Sequence, residues 1–212
     1  MNVRTTTLTI LCLVLAAVPA SAQVLYDNGP INGNTDAWPF VFGYVVSDTF
    51  TLSSNSSVGG FEFGMWEYPS ATLTSVDWSI TSGENNGTMY GSGTATGRNL
   101  IDIFISTNQY GYNIDAIGVT GMNVATTNGT TYWLNLQNAA VPSGDPVYWD
   151  ENSGAGCKSN GCPSSASESA LGTIASEAFT IGNGSVPEPG SIVLLGSGVL
   201  GLAGLLRRRL NL

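Results

Sequence analysis

The side chains able to do chemistry in this chain are overwhelmingly carboxylates. Between residues 23 and 186, 14 Asp and Glu stand against only Arg98 and Lys158, so that stretch carries a net charge of −12 where the whole chain carries −9. The chain has no histidine, which excludes Ser-His-Asp and Cys-His nucleophile arrangements and removes the commonest general base. It has no G-x-S-x-G elbow either. Paired carboxylates are the catalytic chemistry left, since glycoside hydrolysis needs only two, held at a fixed separation across a sugar. Glu62 shares a strand face with Trp66, and Asp150-Glu151 follows Trp149, but a solvated strand face and a polar loop account for both. The same negative field repels nucleic acid and anionic lipid, so no nucleic-acid partner is expected.

Binding asks less of the sequence. Exposed aromatic rings offer flat stacking surfaces for sugars, and neighbouring Asp, Asn and Glu hydrogen-bond the hydroxyls. Residues 146–152 concentrate two aromatics and three polar side chains. Tyr148, Trp149, Asp150 and Glu151, together with Trp66, therefore form the candidate glycan-binding patch. Trp38, Tyr68, Tyr110 and Tyr112 are further aromatic candidates. The competing reading is that Tyr148 and Trp149 close the core while the acids face water.

Asp27, Asn32 and Asp36 bring oxygen ligands close together in sequence and make a weak candidate calcium site. Asx turns explain the same residues, and no other cofactor is expected. Asp48 shares the parity of Val46, Phe50 and Leu52, which aims a carboxylate at the core side and demands a partner, a cation or an edge position. Cys157 and Cys162 lie either side of Lys-Ser-Asn-Gly and read as a local disulfide in an oxidising compartment. Without histidine, two thiolates do not make a closed zinc site.

Strands must position these groups. Alternating apolar residues recur at Phe61, Phe63 and Met65, at Val76, Trp78 and Ile80, at Ile101, Ile103 and Ile105, and at Tyr132, Leu134 and Leu136. Asn-Gly pairs begin at Asn28, Asn32, Asn86, Asn128, Asn160 and Asn183 and mark turns or loops. The sequons at Asn86, Asn128 and Asn183 coincide with such pairs, so turn chemistry explains them without sugar. No window has a helical period. The pattern predicts an all-β fold of about nine strands, an antiparallel β-sandwich of jelly-roll type.

The ends follow other rules. Arg4, an apolar run from Leu8 to Val18 and the small-residue tripeptide Ala20-Ser21-Ala22 read as a secretory signal peptide over residues 1–22. At the other end, Pro187-Glu188-Pro189 precedes an uncharged run from Ile192 to Leu206, and Arg207, Arg208 and Arg209 follow it. At about 1.5 Å per residue that run makes a helix of roughly 22 Å, short of a hydrocarbon core of about 30 Å, so it spans only marginally. The arginines belong on the cytoplasmic side, which places residues 23–186 outside. The two prolines cannot extend the helix and hold the chain extended and accessible before the span.

This three-part tail resembles a PEP-CTERM sorting signal. The resemblance implies recognition by an exosortase, a membrane-embedded cysteine transpeptidase, and removal of the tail near the motif. It implies transient anchoring through a C-terminal transmembrane sorting helix, then delivery to the cell surface or extracellular matrix. It also implies a host that makes exopolysaccharide, and so an exopolysaccharide partner. The organisation expected is signal peptide 1–22, secreted β-sandwich domain 23–186 and sorting tail 187–212. The function expected is a non-enzymatic structural or glycan-binding surface protein. The alternative is a secreted polysaccharide-active enzyme using paired carboxylates.

Overall fold

In a computed structural model the described residues are 23–152 and 156–183. The expected signal peptide, Pro187-Glu188-Pro189, the apolar run and Arg207 to Arg209 lie outside them. Among the described residues no helix is long and apolar enough to cross a membrane.

Alternation builds the two sheets. On β4 (Ser56–Glu67), Phe61, Phe63 and Met65 all point to one side and are buried. β8 (Asn113–Thr126) runs antiparallel along one flank of β4, from Ser56 opposite Thr126 to Glu67 opposite Asn113, and places Ile117 and Val119 on the same apolar side. β7 (Leu100–Thr107) lies beyond β8. On the other flank of β4, β13 (Phe179–Gly182) pairs with its middle and β10 (Tyr148–Asp150) with its end. β1 (Val24–Asp27) and β2 (Ala37–Pro39) complete this sheet beside β13 and β10 respectively.

The second sheet runs in the order β12 (Gly172–Ile174), β11 (Ala166–Glu168), β3 (Val45–Thr51), β9 (Thr131–Ala140), β5 (Ser75–Gly83) and β6 (Asn86–Thr96). Its apolar side carries Val46, Phe50, Val76, Ile80, Leu134 and Leu136. The two apolar sides share one core. Rings meet across it, Tyr26 with Phe50 at 6.3 Å and Phe61 with Trp78 at 6.4 Å. The described chain is thus an all-β sandwich of two antiparallel sheets, as the sequence predicts.

Two details depart from the sequence reading. The isoleucines at 103 and 105 do lie in a strand, yet β7 is an edge and leaves them, with Phe104, exposed. The β5–β6 hairpin turns on Glu84-Asn85, with Asn85 at φ +42°, so Asn86-Gly87 opens β6 instead of making the turn. Asn128-Gly129 does form the β8–β9 turn, where Gly129 adopts φ +71°.

Cys157 and Cys162 are bonded. The loop they close lies against β1, where Lys158 Nζ meets Asp27 Oδ2 at 3.1 Å and the Asp27 amide donates to Ser159 Oγ at 2.7 Å. So short a loop restricts the unfolded chain only modestly, and the Cys157→Ser/Cys162→Ser variant is expected to lose about 2 kcal/mol in urea unfolding.

Candidate functional site

The ends of β4, β8 and β10 converge on a cluster of rings. Trp66 sits on the face of β4 opposite to Met65 and is paired directly with Tyr148 of β10 and Ile114 of β8. The loop between β7 and β8 supplies Tyr110 and Tyr112. Its shape is set by Asn108, whose Oδ1 accepts the amides of both tyrosines at 3.0 Å, an Asx turn written into the sequence Asn-Gln-Tyr-Gly-Tyr. Tyr110 stacks on Trp66 with centroids 6.0 Å apart and planes 27° apart. Tyr112 meets Trp66 at 5.8 Å, Tyr68 at 4.8 Å and, edge to face, Tyr148 at 5.9 Å.

Trp66, Tyr110, Tyr112 and Tyr148 line a cleft of about 370 Å³ together with Thr35, Asp36 and Ala37. Trp66 is its buried floor, while Tyr110, 61% exposed, is its outer wall. Asp36 and Thr35 give one side hydrogen-bonding capacity. The arrangement can stack on a flat ligand with apolar faces and bond its polar edge.

Asp150 fixes this site from beneath. It is fully buried, and its carboxylate accepts the Trp66 indole N–H at 2.6 Å, the Asn32 amide at 2.9 Å and the Gly33 amide at 3.1 Å. Burial raises its pKa despite these donors. The residue locks the floor of the cleft and the loop that carries Thr35 and Asp36.

The sequence patch is therefore corrected in part. Trp66 and Tyr148 line the cleft, with Tyr110 and Tyr112 from the wider aromatic set. Trp149 does not, because its strand parity turns it into the core, where it packs against Phe63 and Phe179 and donates its indole N–H to Ala178 O. Asp150 acts from below, and Glu151 is not among the residues that line the cleft, its backbone pairing with that of Glu177. Asp36 is the cleft residue that the aromatic reasoning missed.

The calcium candidates each accept a nearby backbone amide. Asp27 Oδ1 accepts the Gly29 amide, Asn32 Oδ1 the Asn34 amide and Asp36 Oδ1 the Ala37 amide. Among the described residues no three acidic or sulfur side chains are already gathered as a metal-ligand group.

Asp48 does point inward, and its demand for partners is met by the amides of Glu177 at 2.7 Å and Thr49 at 2.6 Å and by Ser176 Oγ at 3.3 Å. Burial nevertheless pushes its carboxyl up to about 7. Glu177 beside it is wholly buried with neither carboxylate oxygen bonded. Burial, then Asp48, Glu151, Asp150 and Asp36, drive its pKa well above the usual range.

Residues 185–209 match the model of the PEP-CTERM protein-sorting motif. The tail is a PEP-CTERM sorting signal. A PEP-CTERM tail is the mark of an exported protein that exosortase, a membrane transpeptidase, sorts through its C-terminal anchor. The PEP-CTERM match covers the tail alone, and no curated protein matches the chain. The chemistry of the sandwich must therefore be read from the cleft itself.

Proposed function

We propose that the exported domain is a non-enzymatic, glycan-binding protein of the cell surface or extracellular matrix, built on a jelly-roll-like sandwich. The observation that carries this reading is the convergence of Trp66, Tyr110, Tyr112 and Tyr148 on one cleft with Asp36 and Thr35 at its side. Sugar rings present apolar C–H faces and polar rims, and an aromatic cleft edged by oxygen and hydroxyl groups complements both. The partner is an exopolysaccharide, consistent with a chain that is exported and sorted at the envelope.

Hydrolysis is the weaker reading because it needs two carboxylates flanking the scissile bond. The cleft has one, Asp36. Polysaccharide fragments are expected to bind without release of reducing ends. Tyr110→Ala and Tyr112→Ala should each weaken binding about tenfold, the equivalent of roughly 1.4 kcal/mol. Tyr110, exposed, should do so with little change in unfolding midpoint. Titration calorimetry against a panel of bacterial exopolysaccharide fragments measures both. Unchanged affinity in the two variants removes the cleft as the site, and reducing-end release that Asp36→Asn abolishes makes the protein an enzyme.

A further inference from the structure

The charge around the aromatic cleft is of one sign. Asp36 stands at its rim just before β2, held by two hydrogen bonds: its Oδ1 accepts the Ala37 amide at 2.9 Å and its carbonyl accepts the Glu151 amide at 2.9 Å. Asp150 lies beneath the floor, bonded to the Trp66 indole. The Tyr68 hydroxyl is raised first by its bond with Tyr112 and also by Asp145. Burial first, and with it the nearby Asp36 and Asp150, raise the Glu151 carboxyl. Neither basic side chain of residues 23–186 answers this charge. Lys158 is bound to Asp27 at 3.1 Å. Arg98 precedes β7, whereas Tyr110 and Tyr112 follow its other end, and its eight extended residues span roughly 25 Å.

The rings add to the same field. An aromatic face carries negative charge density and attracts a cation within about 6 Å of its centroid, most strongly at tryptophan. Trp66 is 6.0 Å from Tyr110 and 5.8 Å from Tyr112, and Tyr112 is 5.9 Å from Tyr148 with the planes 85° apart. Rings this close at such different inclinations make the corner of a cage, so a group seated among them falls within that range of several at once. The carboxylate that accepts the indole N–H polarises the floor further in the same sense. At about 370 Å³ the cleft lies at the small end of the range for small-molecule sites, about 300–1,000 Å³, which suits a single unit of a chain.

We propose that the cleft selects an amino sugar, with the ammonium of a non-acetylated hexosamine unit seated among the rings and paired with Asp36, an inference that rests on the glycan-binding reading and names its ligand class. A neutral sugar uses the ring faces and leaves the Asp36 charge unanswered. An ammonium uses both and offsets the field of the surrounding acids. N-acetylation removes the positive charge, so the acetylated unit forfeits the cation–π attraction and the ion pair together. The preference extends beyond the cleft, since a domain of net charge −12 draws a polycationic chain toward it from a distance.

The test is calorimetric titration of the full chain, in detergent, with a glucosamine tetramer and with its fully N-acetylated counterpart. The glucosamine tetramer should bind about tenfold more tightly, the equivalent of roughly 1.4 kcal/mol, and added salt should weaken it far more than the acetylated form. Asp36→Asn, an exposed change that keeps an acceptor for the Ala37 amide, should cut the preference to about threefold, the share that the rings alone supply. Its unfolding midpoint should match the parent's. Equal affinity for the two tetramers, tighter binding of the acetylated one, binding of neither, or a preference untouched by Asp36→Asn overturns the assignment. The glycan-binding reading survives that result if a neutral fragment binds and Tyr110→Ala weakens it, and falls with it if no saccharide binds.

Discussion

Asp150→Ala is expected to cost the domain about 3–5 kcal/mol in urea unfolding and to abolish ligand binding at the aromatic cleft. The substitution strands three buried donors at once, the Trp66 indole N–H and the amides of Asn32 and Gly33. Each buried donor left unbonded costs about 1–3 kcal/mol, with some relief from water that enters the space. Gly64 marks how tightly the carboxylate is seated, since a Cβ there would lie 2.7 Å from Asp150 Cβ and 2.8 Å from Ile31 Cγ2. Asp150→Asn keeps the shape but turns an amide toward donors, so it should lose about half as much. Because Asp150 touches no cleft ligand itself, the decisive readout is how affinity and stability separate. At a temperature where Asp150→Asn remains folded, its affinity should still fall, as Trp66 is no longer fixed beneath Tyr110. Full affinity in a folded Asp150→Asn protein would remove the positioning role.

Much of this was legible from parity. Phe61, Phe63 and Met65 mark a buried strand face, and the same period-2 rule places Asp48 inside. Applied one step further it would have found Glu67, which shares that face, and Asp115, which shares it with Ile117 and Val119. The acids at both positions look like ordinary surface charge only when counted, and inward when their strand neighbours are considered. The same rule decides between the two readings of Trp149: Tyr148, Trp149 and Asp150 alternate across a three-residue strand, so only every second residue can face the cleft.

What parity could not supply is which strand ends meet. Tyr110 and Tyr112 lie 38 and 36 residues from Tyr148 in sequence, and nothing local says that β4 would carry β8 on one flank and β10 on the other. Short edge strands such as β2 and β12 bury too little to leave a periodic trace. The sorting tail was legible in full because its parts are contiguous and each acts through a bulk property, proline geometry, apolar length or positive charge.

The second large effect is on pH. All eight carboxyls with displaced pKa values among the described residues, Asp48, Glu62, Glu67, Asp102, Asp115, Asp150, Glu151 and Glu177, are displaced upward, burial being the first cause in each. A folded-state pKa above the unfolded value means that the native form holds its proton where the unfolded chain has released it, so stability falls as pH rises between the two values. For Asp48 the window runs from its ordinary 3.8 to about 7. A rise of about three units at about 1.4 kcal/mol per unit is on the order of 4 kcal/mol. Glu177 adds to the loss in the same direction and extends it to higher pH, with Asp48, Glu151, Asp150 and Asp36 around it and no cation. The domain should therefore be most stable in mild acid, with urea midpoints that fall from about pH 4 to about pH 8 when measured in chelator so that no metal intervenes. Glu177→Gln keeps the volume and removes the titration, so it should flatten the upper part of that decline and exceed the parent in stability at neutral pH. A parent whose stability is level or rising across the window would show that Asp48 and Glu177 are ionised at little cost, and would move their compensation to groups other than those named here.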